Sequence, residues 1–203
     1  MTYTLHKGDL PADIQTTDMV AVDTETTGLS PLRDRLCLVQ LSFGDGHAHI
    51  VQMEEGMDCP NLKKLLADQD ITKIFHFARF DMMMIMKWLN VVCEPVYCTK
   101  IASKLVRTYT GYHGLKALVN ELTNKDISKA QQSSDWASGE LSDDQLKYAA
   151  SDVLYLHEIK AKLDIMLERE GRTAAAQYSF DYLPTRAWLD LTGFEDMDIF
   201  AHS

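Results

Sequence analysis

An apolar run that stops on an acid constrains this chain more than any other stretch of it. Met19-Val20-Ala21-Val22-Asp23 reads as a buried strand, and Thr26-Thr27-Gly28-Leu29-Ser30-Pro31 after it reads as a loop. Residues 36–43 form a second strand-like segment, Gly44-Asp45-Gly46 a hairpin turn, and residues 47–51 a third strand. A helical pattern at 61–66 precedes a fourth strand at 71–75 and a helix from about 79 to 89. A short strand near Val96 leads into helices over 99–107 and 115–122. Antiparallel strands come first, and strands alternating with helices follow. That order predicts an α/β fold, a mixed sheet covered by helices on both faces.

The clearest helix begins at Ser142. Ser142-Asp143-Asp144-Gln145 is a capping-box pattern, in which the serine caps the helix and Gln145 reaches back to the cap. Apolar residues then recur at Leu146, Ala149, Ala150, Val153, Leu156, Ile159, Leu163 and Met166, close to the helical period.

Against this framework the acids are placed unusually. Asp23 and Glu25, two apart at a strand's end, put their side chains on one face. Two carboxylates there repel unless a cation sits between them. Asp81 lies just after the fourth strand, at the start of a helix. Tyr148 and Asp152, four apart, share a face of the capped helix, and that face points inward. An inward acid is costly without a partner. Singly, each is ordinary: Asp-x-Glu is common in surface loops, and an acid in Asp81's position is often a helix cap. Together, four acids from three elements predict a hard, oxygen-rich site suited to Mg²⁺ or Mn²⁺ rather than zinc.

The rest of the composition sets bounds. The 203 residues suit one domain with at most a short extension, and 46% hydrophobic content fills a real core. No apolar run approaches the ~18 residues of a membrane span, and no signal peptide is visible. Cys37, Cys59, Cys93 and Cys98 are scattered without zinc-finger spacing, so free thiols in a reducing cytoplasm are expected. A net charge of −10 argues against a nucleic-acid binder until cations neutralise the carboxylates. The acidity is also uneven: residues 100–129 hold six basic residues and two acids, residues 181–203 five acids and one arginine. Such a bias fits a binding surface or an ordinary solvated helix face equally.

Three segments in order carry a resemblance. Val20-Ala21-Val22-Asp23-Thr24-Glu25-Thr26-Thr27-Gly28-Leu29 is similar to the first exonuclease motif of the DEDD superfamily. His76-Phe77-Ala78-Arg79-Phe80-Asp81 resembles the second, and Tyr148-Ala149-Ala150-Ser151-Asp152 the third in its tyrosine form. Thr99-Lys100-Ile101-Ala102, Gly114-Leu115-Lys116-Ala117-Leu118-Val119 and the segment from Ser128 to Trp136 resemble ribonuclease D in particular. Many superfamily members carry Asn where this chain has Phe77, a position that varies among ribonuclease D-like sequences.

The resemblance implies a ribonuclease H-like fold with a five-stranded sheet, an exonuclease domain over residues 1–170 and a C-terminal extension over 171–203. It implies two divalent cations, with Asp23 bridging both, Glu25 and Asp152 on the one nearer the attacking water, and Asp81 on the other. Tyr148 would orient the water. Thr26, Leu29, His76, Phe80 and Gln132 would meet the substrate, although core packing suits Leu29 and Phe80 nearly as well. Trp136 and Met82-Met83-Met84 read as packing. The expected activity is 3′→5′ hydrolysis of single-stranded RNA ends, precursor tRNA among them. A DNA exonuclease would use the same acids, and a silent binding module would be expected to have lost one of them. Oligomeric state is not legible.

Overall fold

The computed structural model describes residues 2–202. The apolar run is the core of β2 (Met19–Thr26), which sits inside a mixed sheet. The antiparallel partner of β2 is β3 (Leu36–Ser42), in which every residue is buried, and β3 pairs antiparallel with β4 (His47–Gln52). On its other side β2 pairs parallel with β5 (Thr72–Phe75), and β5 with β6 (Val96–Cys98).

The sheet has six strands, where five are expected from the sequence. The sixth, β1 (Thr2–Lys7), pairs parallel with β4 and gives the order β1-β4-β3-β2-β5-β6. It is an edge strand with hydrogen bonds on one side only. Thr2-Tyr3-Thr4-Leu5-His6-Lys7 buries no side chain fully and therefore lacks the apolar signature of the inner strands.

The helical layers are α1 (Pro60–Ala67), α2 (Ala78–Leu89), α3 (Thr99–Val106) and α4 (Leu115–Leu118), followed by α5 (Asp143–Leu154) and α6 (Leu156–Arg169). The last two are α7 (Thr173–Asp181) and α8 (Leu183–Leu189). Helix α5 packs on β1 to β4, while α2 packs on β2, β3, β5 and β6. Two helices differ from expectation. The segment after α4 widens into a π-helical turn at Val119–Thr123. The long helix breaks at Tyr155, whose N–H bonds to Val153 rather than continuing the ladder. The apolar period runs unbroken through that break, so sequence periodicity cannot reveal it.

The capping box at Ser142 is present in both directions, with the serine side chain accepting from the Gln145 N–H and Gln145 accepting from the Ser142 N–H. Ser142→Ala should cost about 1 kcal/mol, read as a lower urea midpoint at unchanged slope. An unchanged midpoint would mean that tertiary packing alone fixes the start of α5.

All four cysteines are free and buried, and among the described residues no helix is long and apolar enough to cross a membrane. Two cations are fully buried. Lys73 donates to the carbonyls of Asp68 (2.6 Å) and Glu94, and Arg107 to Glu121, Ser103 Oγ and the Tyr112 carbonyl. Burial lowers the Lys73 ammonium from its ordinary value, while Arg107, despite burial, is raised through its bonds to Glu121 and Tyr109.

Candidate metal centre

Alternation along β2 sorts the first motif onto two faces. Asp23 and Glu25 face α5, where Asp152 projects toward them, and carboxylate oxygens of these three acids lie within 4.8 Å of one another. Thr24 faces the other layer and donates its hydroxyl to Asp81 Oδ1 at 2.6 Å. The structure thus brings three of the four expected acids into one cluster. Asp81 stands outside it, on α2, near enough to Asp23 for their charges to repel. The β2–β3 register slips between Glu25 and Thr26, opposite Leu38 and Leu36. A bulge of this kind re-aims side chains where a strand ends beside a site.

The electrostatics follow from burial without a counter-charge. Burial first, and then the charges of Asp23, Asp152 and Asp81, push Glu25 up to about 10. Burial raises Asp23 to about 7. Asp81 and Asp152 are raised well above the carboxylate range, by burial and then by Asp23. No lysine or arginine pairs with any of these four acids among the described residues. The donor set is all hard oxygen, without sulfur or imidazole, and it fits Mg²⁺ or Mn²⁺.

The neighbouring residues are placed as follows. Tyr148 lies one turn before Asp152, half-buried, with its phenol raised by burial and by the charge of Asp152. Trp136 is buried with its ring 5.9 Å from that of Tyr148, which makes it packing. The Thr26 hydroxyl donates to the Gly28 carbonyl at 2.6 Å and steadies the loop carrying Leu29. Leu29 is 85% exposed, so core packing does not explain it. Phe80 is partly buried and packs against the core.

Burial drives His76 down to about 3, so the ring is neutral, with Nδ1 held 2.9 Å from Thr99 Oγ1. Gln132 is exposed on the loop before α5, and among the described residues its side chain makes no hydrogen bond to the acids.

Two contributors escape the sequence reading. Thr24 gives no signal because a threonine between two acids is unremarkable. Asp34 pins the Leu29 loop by accepting from the Ser30 N–H at 2.8 Å, and a Cβ on Gly28 would meet its Oδ2 at 2.4 Å. Gly28 in the motif is the one hint of that close approach.

Comparison with known proteins agrees with this arrangement. Residues 8–168 match the 3′-5′ exonuclease family. Ribonuclease D of Granulibacter bethesdensis is 34% identical over 155 residues, 76% of this chain and 39% of its own. Ribonuclease D of Nitrobacter hamburgensis is 27% identical across 93% of this chain, which spans only 51% of that protein. Brucella melitensis NrnC is 57% identical, with a TM-score of 0.97 over 100% of this chain and 99% of the other. That protein has also been solved with bound Mg²⁺ and bound to pGG. A match of this extent makes the chain a member of the 3′-5′ exonuclease family, a DEDD-type, ribonuclease D-like core closely related to NrnC.

Proposed function

We propose that this protein is a 3′→5′ exoribonuclease that hydrolyses the terminal phosphodiester of short single-stranded RNA and releases nucleoside 5′-monophosphates, within a ribonuclease H-like arrangement of the sheet. The observation that carries the reading is the gathering of Asp23, Glu25 and Asp152 oxygens within 4.8 Å, in order and context matching the family motifs. Asp23, Glu25 and Asp152 would hold one divalent cation, and Asp81 with Asp23 a second. Bound cations of this kind neutralise phosphoryl charge and favour ionisation of an attacking water.

The chain's own residues do the rest. With its phenol raised by burial, Tyr148 stays protonated at neutral pH and positions the water through its hydroxyl. Thr24 fixes the Asp81 carboxylate by its 2.6 Å hydrogen bond. The Thr26–Gly28 bond and Asp34 hold Leu29 outward, where it can wedge against the terminal bases. Thr26 itself would meet the terminal nucleotide. Neutral His76, anchored to Thr99, and Phe80 would border the path of the strand, and Gln132 would reach it from the loop before α5.

Precursor tRNA trimming is the substrate suggested by the ribonuclease D resemblance. The whole-length similarity to a protein solved with pGG favours short 5′-phosphorylated RNA instead.

The test is incubation of 5′-labelled RNA and DNA, from dinucleotides to 20-mers, with Mg²⁺, Mn²⁺ or EDTA. Stepwise 3′ shortening of RNA that stops in EDTA supports the reading, and faster shortening of DNA overturns the ribonuclease assignment. Leu29→Ala should raise KM several-fold while leaving Tm within about 2 °C, since exposed substitutions change stability by about 0.5 kcal/mol or less. A large Tm loss would return Leu29 to a packing role.

A further inference from the structure

Beside the carboxylate cluster, on the same end of the parallel strands, lies a cavity of about 370 Å³ that the acids do not enter. Phe75 of β5 pairs with Cys98 of β6, so Phe77 and Lys100, just past these strand ends, are neighbours across the rim. Two strand spacings put this rim about 10 Å from the end of β2.

The cavity is lined by Phe77, Lys100, Lys104, Ile101, Tyr182 and Arg186, among others, and its charged residues are all cations. Lys100 and Lys104 stand four apart on α3, on one face. Neither pairs with a carboxylate among the described residues. The Lys100 ammonium instead rests 4.1 Å from the centre of the Phe77 ring. Arg79 and Arg186 are different, because buried Asp190 holds both and makes them a fixed wall.

Phe77 is itself held in a costly state. It is a non-glycine residue in the left-handed region, at φ 70° and ψ 46°, and it is 46% exposed. The Lys100 contact offsets only part of that strain, and strain of this kind gathers at ligand sites. In a chain of net charge −10, a pocket lined by no acid, with two unpaired lysines and the exposed Phe77, is matched to one ligand chemistry: a phosphate attached to a flat heterocycle.

We infer that this cavity is a nucleotide-binding site, taking a phosphate at Lys100 and Lys104 and stacking a base on Phe77, separate from the carboxylates that carry out hydrolysis. An incoming phosphate draws Lys100 off the Phe77 ring and frees that face for the base. The ligand has two sources, a free nucleoside monophosphate or an upstream residue of the strand being degraded. The second source rests on the exonuclease reading, and the first does not.

The experiment is isothermal titration of GMP and of pGG into the full chain in EDTA, where hydrolysis is silent. The wild type is compared with Lys100→Gln/Lys104→Gln and with Phe77→Asn. Asparagine accepts the left-handed backbone and removes only the ring, and a Tm scan checks that each variant is folded. The double variant should lose at least about tenfold in affinity, and what binding remains should depend less on salt than in the wild type. Phe77→Asn should lose about tenfold through stacking at an unchanged salt slope.

Loss for both GMP and pGG identifies a site for free nucleotides, and loss for pGG alone identifies a site for the strand. Affinities within twofold of wild type in the folded variants, or no binding by the wild type in EDTA, overturn the inference. Failure of the exonuclease reading looks different: binding that depends on these residues, with no hydrolysis when Mg²⁺ is added.

Discussion

Asp152→Asn is expected to lower turnover at least about a hundredfold while raising the melting temperature of the protein in EDTA. The two effects have one cause. Asp152 is buried, its oxygens share a 4.8 Å cluster with those of Asp23 and Glu25, and no cation of the chain offsets them. Asparagine keeps the volume and has no proton to lose, so the metal-free fold no longer has to hold a carboxyl against burial and the charge of Asp23. It also takes away an anionic donor that would hold divalent ions in the proposed site, and losing one preorganised electrostatic group costs about 10²–10³ in rate. A ladder assay on 5′-labelled RNA and a thermal scan in EDTA read both. Retained turnover would remove Asp152 from the machinery. A fall in the EDTA melting temperature would show that its carboxylate stabilises the fold by contacts other than a cation.

Saturating Mg²⁺ or Mn²⁺ should raise Tm by roughly 5–10 °C, and by more at pH 8 than at pH 6. Ligand at a hundred times its Kd adds about 2.7 kcal/mol, and a chain of this size moves about 2–4 °C per kcal/mol. The pH dependence follows from the direction of the shifts. Asp23 sits at about 7 and Glu25 at about 10 in the fold, both above their unfolded values. Groups shifted this way contribute stability that is complete below about pH 4, where folded and unfolded forms are alike protonated. That stability is lost as pH rises, through about 7 for Asp23 and on toward 10 for Glu25. The metal-free protein should therefore weaken with rising pH. Divalent ions, which compete with those protons, should restore more of the loss the higher the pH. An equal rise in Asp23→Ala would place the stabilising ion elsewhere, and no rise at all would count against the site.

The carboxylate site was legible in the sequence because each acid sits where local rules expose it: at the end of an apolar strand, in the first turn of a helix, and on the inward face of a capped helix. What the rules did not carry is that Asp81 reaches the site from the opposite layer, tied to Thr24 and outside the three-acid cluster. Strand alternation places Thr24 opposite Asp23, but only the packing of α2 says what Thr24 meets there. Strand β1 was missed for an energetic reason. It is held by backbone pairing with β4 more than by burial of its side chains, and pairing leaves no mark on composition. The break at Tyr155 and the helices α7 and α8 belong to the same class, set by tertiary contacts among segments whose apolar periods look continuous or weak.

Arg79, two residues before Asp81 on α2, donates to Asp190 at 2.5 and 2.8 Å, across 111 residues of chain. During synthesis, then, the helix that presents the second acidic motif leaves the ribosome long before its electrostatic anchor exists. Domains fold as their residues emerge, at about 5–20 residues per second, so Arg79 waits on the order of ten seconds for its partner. Once Asp152 has been added, and until Asp190 follows, the nascent chain carries the acids of all three motifs with one of them incompletely fixed. A residue made 111 positions later is what fastens the motif that Arg79 belongs to.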